Sequence, residues 1–164
     1  MKEIPTPTLD LSLISLPRGS LHPASPAPAT STQNVAPTGS ITVQWARHLD
    51  EVRAAQKLRH DVFVGEMGAR LPVVIEGHDI DLFDDYCEHL LVKDEGSGEV
   101  VGTYRLLTPT QARRLGSTYT DTEFDLTRLR SIRERMVELG RSCVHPQHRQ
   151  GSVILALWGA LAEF

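Results

Sequence analysis

The chain has 164 residues, of which 40% are hydrophobic and 23% are charged. This length and composition are typical of one globular domain with a buried core. The 21 acidic and 17 basic side chains give a net charge of -4, which argues against binding of nucleic acid through bulk positive charge. Two cysteines are too few for a disulfide scaffold, and no apolar run approaches the roughly 18 residues that a membrane-spanning helix needs.

The first 40 residues differ in composition from the rest and are predicted to form a disordered leader. Seven of the ten prolines lie there, and Ser, Thr and Ala fill most of the gaps. Proline fixes φ and removes a backbone donor, so this stretch cannot build a helix or a central strand. One folded domain is therefore expected over residues 41–164.

The folded part is predicted to begin with a strand and a helix. Residues 41–45 alternate apolar and polar side chains, which is typical of a half-buried strand. Asp50 can cap a helix that runs to about Glu66, because its apolar residues recur at three- and four-residue steps. An acid-rich loop over residues 76–85 follows.

The second half predicts a hairpin, two helices and another strand. Strands at 89–93 and 100–107 are joined by the turn at 95–98 as an antiparallel hairpin. A short helix at 110–115, a strand at 136–144 and a helix at 152–164 complete the order, which predicts a mixed α/β layer fold. The last helix stops at Phe164 in mid-pattern, and the chain is therefore expected to be truncated at its C-terminus.

The turn between the last strand and the last helix has features of a phosphate site. A helix N-terminus offers free N–H groups and a partial positive charge, and a glycine there lets a phosphate approach the backbone. The candidate residues are Arg149, Gln150, Gly151, Ser152 and Val153.

Together with four further motifs, this turn resembles the GNAT acyltransferase superfamily, in particular its ornithine-lipid N-acyltransferases and the related acyl-homoserine-lactone synthases. Val153 occupies the place of the second glycine of the usual superfamily pattern. The other motifs are Leu58-Arg59-x-x-Val62-Phe63-x-x-Glu66, Asp79-x-Asp81-x-x-Asp84, Val101-Gly102-Thr103-Tyr104-Arg105-Leu106 and Glu138-Leu139-Gly140-Arg141-Ser142-Cys143-Val144-His145-Pro146.

The resemblance implies a mostly antiparallel GNAT-like sheet flanked by helices. It also implies transfer of a (3-hydroxy)acyl group from acyl carrier protein to the α-amine of ornithine, the first step of ornithine-lipid synthesis. No permanently bound cofactor and no metal are expected. The protein would be cytoplasmic, with possible peripheral contact at the inner membrane surface.

The chemistry of such a transfer assigns expected roles to residues within these motifs. Glu138 is the candidate general base for the amine, with Arg141 beside it. Arg141 or Arg105 would bind the carboxylate of ornithine. In a regular strand, residues 138 and 141 point to opposite faces, so a β-bulge is predicted near residues 140–142. The acceptor ammonium would be held by Asp79, Asp81 or Asp84, and supporting positions are Arg59, Phe63 and Glu66.

Several alternatives stay open at this stage. The acceptor could be S-adenosylmethionine, as in an acyl-homoserine-lactone synthase, or the chain could be a non-catalytic fragment that binds carrier protein. The dipeptides Cys87-x-His89 and Cys143-x-His145 could form a zinc site, but two buried thiols are the favoured interpretation. A group of arginines could dock an acidic carrier protein or anionic lipid, or be a solvated surface: Arg113, Arg114, Arg128, Arg130, Arg133 and Arg135.

Overall fold

The computed structural model describes residues 39–164, so nearly all of the predicted leader lies outside the described residues. The described part contains four strands and four α-helices. They are β1 (Ile41–Trp45), α1 (Leu49–His60), β2 (Glu88–Asp94), β3 (Val100–Leu107), α2 (Pro109–Leu115), α3 (Thr120–Glu123), β4 (Glu138–Val144) and α4 (Ser152–Glu163).

The four strands form one sheet in the order β1-β2-β3-β4, and all three pairings are antiparallel. The predicted α/β fold class is therefore confirmed, as is the hairpin of β2 and β3. The strand predicted from residue 136 begins only at Glu138, because a short 3₁₀ turn at Arg133–Arg135 directly precedes it.

Two apolar clusters hold the helices on the sheet. Val153 and Leu157 of α4 pack against buried side chains of β2 and β3, among them Leu90 and Val101. Leu58 of α1 and Val62, just beyond the end of α1, form a second cluster with Cys143 of β4. Helices α1 and α4 thus pack on the strands that carry the sequence motifs.

A missing side chain sets the distance between α4 and the sheet. A Cβ atom built on Gly102 of β3 would lie 2.4 Å from Cγ1 of Val153, in the first turn of α4. No real Cβ makes so short a contact, so the glycine at 102 is a packing requirement. The N-terminus of α4 is therefore held close to the middle of β3.

The end of α1 differs from the sequence prediction of one regular helix to Glu66. Residues Asp61–Glu66 are π-helical, with the amide of Met67 donating to the carbonyl of Val62 at 3.0 Å. Two valines and Gly65 make this stretch a poor α-helix former. The wider turn rotates Glu66 away from the face of Arg59, although residues seven apart share nearly the same face in a regular α-helix.

The outer side of α4 remains apolar, with Leu155 and Trp158 exposed. Even so, no helix within residues 39–164 has both the length and the apolar character to cross a bilayer.

We expect Gly102→Ala to destabilise the fold by about 1–3 kcal/mol, because its methyl group must displace Val153 or α4 itself. Gly159→Ala is the matched control. Gly159 lies in α4 and has nothing within 4 Å of its Cβ position. Its replacement by alanine should stabilise the fold by about 0.5–1 kcal/mol through helix propensity. Urea unfolding of both variants measures these changes, and an unchanged midpoint for Gly102→Ala would contradict the packing requirement.

Candidate active site

The site is built around an irregularity in β4. Thr103 of β3 pairs with Cys143, but Arg105 pairs with Gly140, so Tyr104 stands opposite two residues, Arg141 and Ser142. Arg141 has φ +50°, in the left-handed region that residues other than glycine rarely adopt. The β-bulge predicted near residues 140–142 is confirmed.

The bulge changes which side chains share a face of β4. Glu138 and Arg141 line the same cavity, of about 180 Å³, together with Arg105, Tyr119 and Thr120. A regular strand would have placed them on opposite faces. The extra residue therefore brings an acid and a guanidinium to one cavity.

Glu138 is bound by the start of α3. Its carboxylate accepts hydrogen bonds from the amide of Tyr119 at 2.8 Å, from the amide of Thr120 at 2.7 Å and from the Thr120 hydroxyl. A carboxylate has about four lone-pair positions, so three contacts leave room for about one more partner. Glu138 therefore anchors α3 in addition to lining the cavity.

Tyr119 and Thr120 are the site residues that sequence reasoning missed. The available signal was Thr120 followed three residues later by Glu123, a pattern typical of a helix start. That pattern places a helix but gives no indication that its first amides meet Glu138, which lies 18 and 19 residues further along the chain.

Behind the cavity lies a cluster of three arginines and three aspartates. Arg59 is 0% exposed and contacts Asp79 at 2.9 Å and Asp84 at 2.7 Å. Arg105 contacts Asp84 at 2.9 Å and Asp81 at 2.6 Å. The side chain of Arg59 is therefore buried among these carboxylates and is not part of a solvated helix surface.

Burial alone would raise the pKa of Asp84, but hydrogen bonds and charge from Arg59 and Arg105 outweigh it and lower the pKa to about 2. Burial likewise acts to lower the pKa of Arg105, and its hydrogen bond to Asp81 and the charges of both aspartates raise it instead. Asp84 and Arg105 are therefore both ionised at neutral pH. Gln56, which is also buried, donates to Asp84 at 3.1 Å.

The burial of two aspartates bears on the acceptor-site prediction. Asp79 and Asp84 are 2% and 5% exposed and are paired with arginines, so an acceptor ammonium could reach them only by displacing a guanidinium. They have a structural role in this fold. Asp81 keeps an exposed fraction of 22% for its side chain. Among the three aspartates, the prediction of acceptor binding therefore remains for Asp81 alone.

Arg141 connects the cluster to the cavity. Its Nε lies 3.2 Å from Asp79 and one terminal nitrogen lies 3.3 Å from Asp81. The Nε–Asp79 contact is a charge contact and lacks hydrogen-bond geometry. The guanidinium also lies 5.0 Å from the centre of the Tyr119 ring and 6.0 Å from that of Phe63. Phe63, a predicted supporting residue, thus flanks Arg141.

The predicted donor turn lies beyond the end of β4. Gly151 has φ +102° and nothing within 4 Å of its Cβ position, so the backbone before α4 is accessible. The side chain of Val153 is buried in the core, which leaves only its amide for a ligand. Gln150 donates its side-chain amide to the carbonyl of Gln147 at 2.7 Å.

Arg149 is paired with Glu66, which joins two residues predicted for different parts of the site. Its terminal nitrogens lie 2.6 and 2.7 Å from the two carboxylate oxygens, and its Nε donates to the carbonyl of Val144 at 3.1 Å. The hydrogen bond to Arg149 lowers the pKa of Glu66 below its ordinary value. Arg149 is therefore not a free cation in this structure.

The two cysteines are not nucleophiles by their surroundings. Burial raises the pKa of both Cys87 and Cys143 to about 12. Cys87 lies immediately before β2 and Cys143 lies in β4, and β3 separates these two strands. In the described range 39–164, no group of three or more His, Cys, Asp or Glu side chains is arranged to hold a metal ion.

Three members of the arginine group, Arg113, Arg130 and Arg133, line a surface groove beside α2. Arg133 is paired with Asp121. This placement brings residues from α2 and from the segment before β4 together. Docking of an acidic carrier protein or of anionic lipid on this surface stays a prediction.

We expect the free energy of unfolding to fall as the pH drops from about 4 towards 2, because Asp84 must then be protonated in the folded state. The lowered pKa of Asp84 stabilises the fold fully at a pH above 3.8, the pKa of the group in the unfolded chain, and this contribution is lost as the pH falls to about 2. The loss amounts to about 2 kcal/mol. Asp84→Asn should flatten the stability profile in this pH window, and should itself cost about 3–5 kcal/mol at pH 7 by leaving Arg59 underpaired. Denaturant unfolding at a series of pH values tests both effects, with the exposed Asp85→Asn as control; equal profiles for the two variants would contradict this role.

Comparison with known proteins identifies the family of this chain. The acetyltransferase (GNAT) domain family matches residues 58–159. The L-ornithine N(alpha)-acyltransferase of Rhodobacter capsulatus is 43% identical over 132 residues, which cover 76% of this chain and 51% of that protein. The enzyme of the same name from Brucella abortus is 41% identical over 129 residues, covering 73% and 46%. The chain spans about half the length of these curated relatives.

Solved structures give the same fold. The CoA-dependent acyl-homoserine lactone synthase BjaI, solved with SAM and isopentyl-CoA, has a TM-score of 0.56 and 26% identity, with 76% of this chain and 61% of that chain covered. The acyl-homoserine lactone synthase LasI has 22% identity and a TM-score of 0.51, with 76% of this chain and 66% of that chain covered, and it supports the fold alone. The family match, which extends from α1 into α4, shows that the chain belongs to the GNAT acetyltransferase domain family.

Proposed function

We propose that this chain carries the catalytic site of an L-ornithine Nα-acyltransferase. The enzyme would transfer a (3-hydroxy)acyl group from acyl carrier protein to the α-amine of ornithine, the first step of ornithine-lipid synthesis. Four curated relatives of that name, at 41–43% identity, support the reaction class. The structural observation that carries the proposal is the bulge at Arg141, which places Glu138 and Arg141 in one cavity.

Three features line up along β4 in the order that a thioester donor needs. The turn with Gly151 follows the C-terminal end of the strand and would hold the phosphate of the pantetheine arm. The cavity at the bulge lies in the middle. A second cavity of about 240 Å³, lined by Leu126, Met136 and Leu139, adjoins the start of the strand.

The two cavities are adjacent, since Thr120, Glu138 and Leu139 line both. The arm would extend along β4, whose seven residues span roughly 20 Å. In this placement the thioester carbon lies at the bulge and the acyl chain enters the apolar cavity.

In the reaction, the neutral α-amine of ornithine attacks the thioester carbon. The new C–N bond forms, the C–S bond breaks, and the pantetheine thiolate leaves. Glu138 would accept the proton of the amine through its remaining lone-pair position, directly or through one water, and the thiolate finally takes up that proton. Since β4 pairs with no strand on its second side within residues 39–164, its backbone N–H groups near Ser142 would stabilise the oxyanion.

The acceptor would enter beside the ion cluster. Arg141 is the best placed cation for the ornithine carboxylate because it lines the cavity and is partly exposed. Arg105 also lines the cavity but is 4% exposed and bound to two aspartates, so its role would be to fix Asp81. Asp81 would then bind the side-chain ammonium of ornithine.

Carrier protein would dock on the arginine surface near α2, which adjoins the apolar cavity through Ala112 and Arg133. An acidic partner is the chemistry that such a surface attracts. No permanently bound cofactor is needed for direct attack. The enzyme would act in the cytoplasm, with peripheral contact at the inner membrane where its lipid product is used.

We expect Glu138→Gln to lower kcat by about 10²–10³-fold while changing the affinity for acyl carrier protein little, since it removes the carboxylate that would accept the proton. The amide keeps one acceptor oxygen, so at least one hydrogen bond from the start of α3 is lost as well. Release of free thiol from a 3-hydroxyacyl carrier protein in the presence of ornithine measures kcat. Glu95→Gln, an exposed change of the same kind in the turn between β2 and β3, is the control. Equal losses of turnover and carrier affinity would contradict the base role and indicate that Glu138 only anchors α3.

The same assay distinguishes the acceptors. Thiol release with ornithine but not with S-adenosylmethionine supports the proposed reaction, and the reverse supports an acyl-homoserine-lactone synthase. No thiol release with either amine would overturn the catalytic proposal in favour of a carrier-binding fragment.

A further inference from the structure

We propose that Glu66 is a specificity-determining residue, which makes the donor site favour a pantetheine arm with one phosphate group over coenzyme A. This inference rests on the proposed function, because it takes the turn before α4 as the place of the donor phosphate. It assigns a role to a carboxylate that the chemistry of acyl transfer does not require.

Each of the three guanidinium nitrogens of Arg149 donates a hydrogen bond near the end of β4. Both terminal nitrogens form a two-point contact with Glu66, and the Nε is bound to the carbonyl of Val144, the last residue of β4. A planar guanidinium held at three nitrogens has a fixed position. Arg149 therefore lies against the end of β4, with its charge matched by Glu66.

The π-helical segment makes this contact possible. Arg59, seven residues before Glu66, is completely buried among aspartates, whereas Glu66 is 42% exposed and faces Arg149. In a regular α-helix, residues seven apart lie on nearly the same face. The segment Asp61–Glu66 thus directs one carboxylate out of the buried cluster and towards the donor turn.

The charge balance of the turn follows from this pair. Residues 145–151 contain one arginine, no lysine and no acid. Since Glu66 neutralises that arginine, the remaining attraction for an anion comes from the first amides of α4 and from the accessible backbone at Gly151.

One phosphate can be held by such amides without a free cation. Coenzyme A brings two further phosphates, and the Glu66–Arg149 pair, which is neutral overall, offers them no free cation. At 4 Å, an unpaired guanidinium would attract a phosphate by about 1 kcal/mol in water, and by more where the surface lowers the dielectric constant. The pairing therefore withholds this attraction from each additional phosphate, whereas a carrier protein presents only one.

The test is a series of ligands with the same arm and increasing charge: pantetheine, 4′-phosphopantetheine, dephospho-coenzyme A and coenzyme A. Their dissociation constants for the full chain are measured by titration calorimetry. In the wild type, affinity should rise with the first phosphate and not with the second or third. In Glu66→Gln, coenzyme A should bind about 5- to 10-fold more tightly than in the wild type. The affinity for 4′-phosphopantetheine should rise by less than about threefold.

Glu163→Gln is the matched control, since it removes the same charge at the other end of α4. It lies 12 residues beyond Gly151, which corresponds to roughly 18 Å along the helix, more than the Debye length of about 8 Å at physiological salt. This variant should leave all four dissociation constants unchanged. Thermal unfolding of both variants verifies that the fold is intact, as expected for a change at an exposed pair.

The outcomes separate the inference from the proposed function. Three results for Glu66→Gln would overturn the role of Glu66. They are equal gains in affinity for coenzyme A and 4′-phosphopantetheine, no gain in affinity for either, and weaker binding of both. If Arg149→Ala weakens 4′-phosphopantetheine binding while Glu66→Gln has no effect, only this inference fails. If Arg149→Ala leaves the affinity for every member of the series unchanged, the proposed donor site itself is wrong.

Discussion

A buried guanidinium determines much of this structure. Arg59 is removed from water, and a charge in that position is tolerated only when it is paired and hydrogen-bonded. Asp79 and Asp84 supply the pairing, and they attach the long segment after α1 to the helix itself. Through Asp84 the pairing extends to Arg105 of β3, and through Asp79 to Arg141 of β4. One desolvated charge thus holds a helix, a loop and two strands together.

The bulge in β4 is supported by this cluster. A left-handed φ at a residue other than glycine costs free energy, of the order of 1 kcal/mol or more, and persists only where surrounding contacts hold it. Arg141 has such contacts on two sides, from the aspartates and from the rings of Tyr119 and Phe63. The strain is therefore located where Glu138 and Arg141 are brought to one cavity. The cluster contributes to the site by holding the backbone that presents it.

The sequence predicted the strands well because their patterns are local. The alternation at 41–45 and the glycine-containing turn between β2 and β3 each specify a structure within a few residues. The bulge was also predictable, from the requirement that residues 138 and 141 act together. The π-helical turn at 61–66 was not, because a helical pattern shows the apolar positions but not the exact number of residues per turn.

The sequence names candidate site residues but does not show how their surroundings differ. Asp79, Asp81 and Asp84 form one group of identical side chains in the sequence, yet two of them are buried and one is partly exposed. Burial depends on which arginines approach from α1, β3 and β4, and these lie 20 to 60 residues away in the chain. The pairing of Glu66 with Arg149 spans 83 residues and has no local signal.

The contact between Gly102 and Val153 has a consequence for how this site can vary. Gly102 of β3 has no side chain, and Val153 in the first turn of α4 fills the volume that a side chain there would occupy. Neither residue can grow alone without moving the helix end, but bulk can be exchanged between them at nearly constant total volume. Positions 102 and 153 are therefore coupled in size, and a lineage that gains a glycine in the helix turn becomes free to place a larger side chain in the strand.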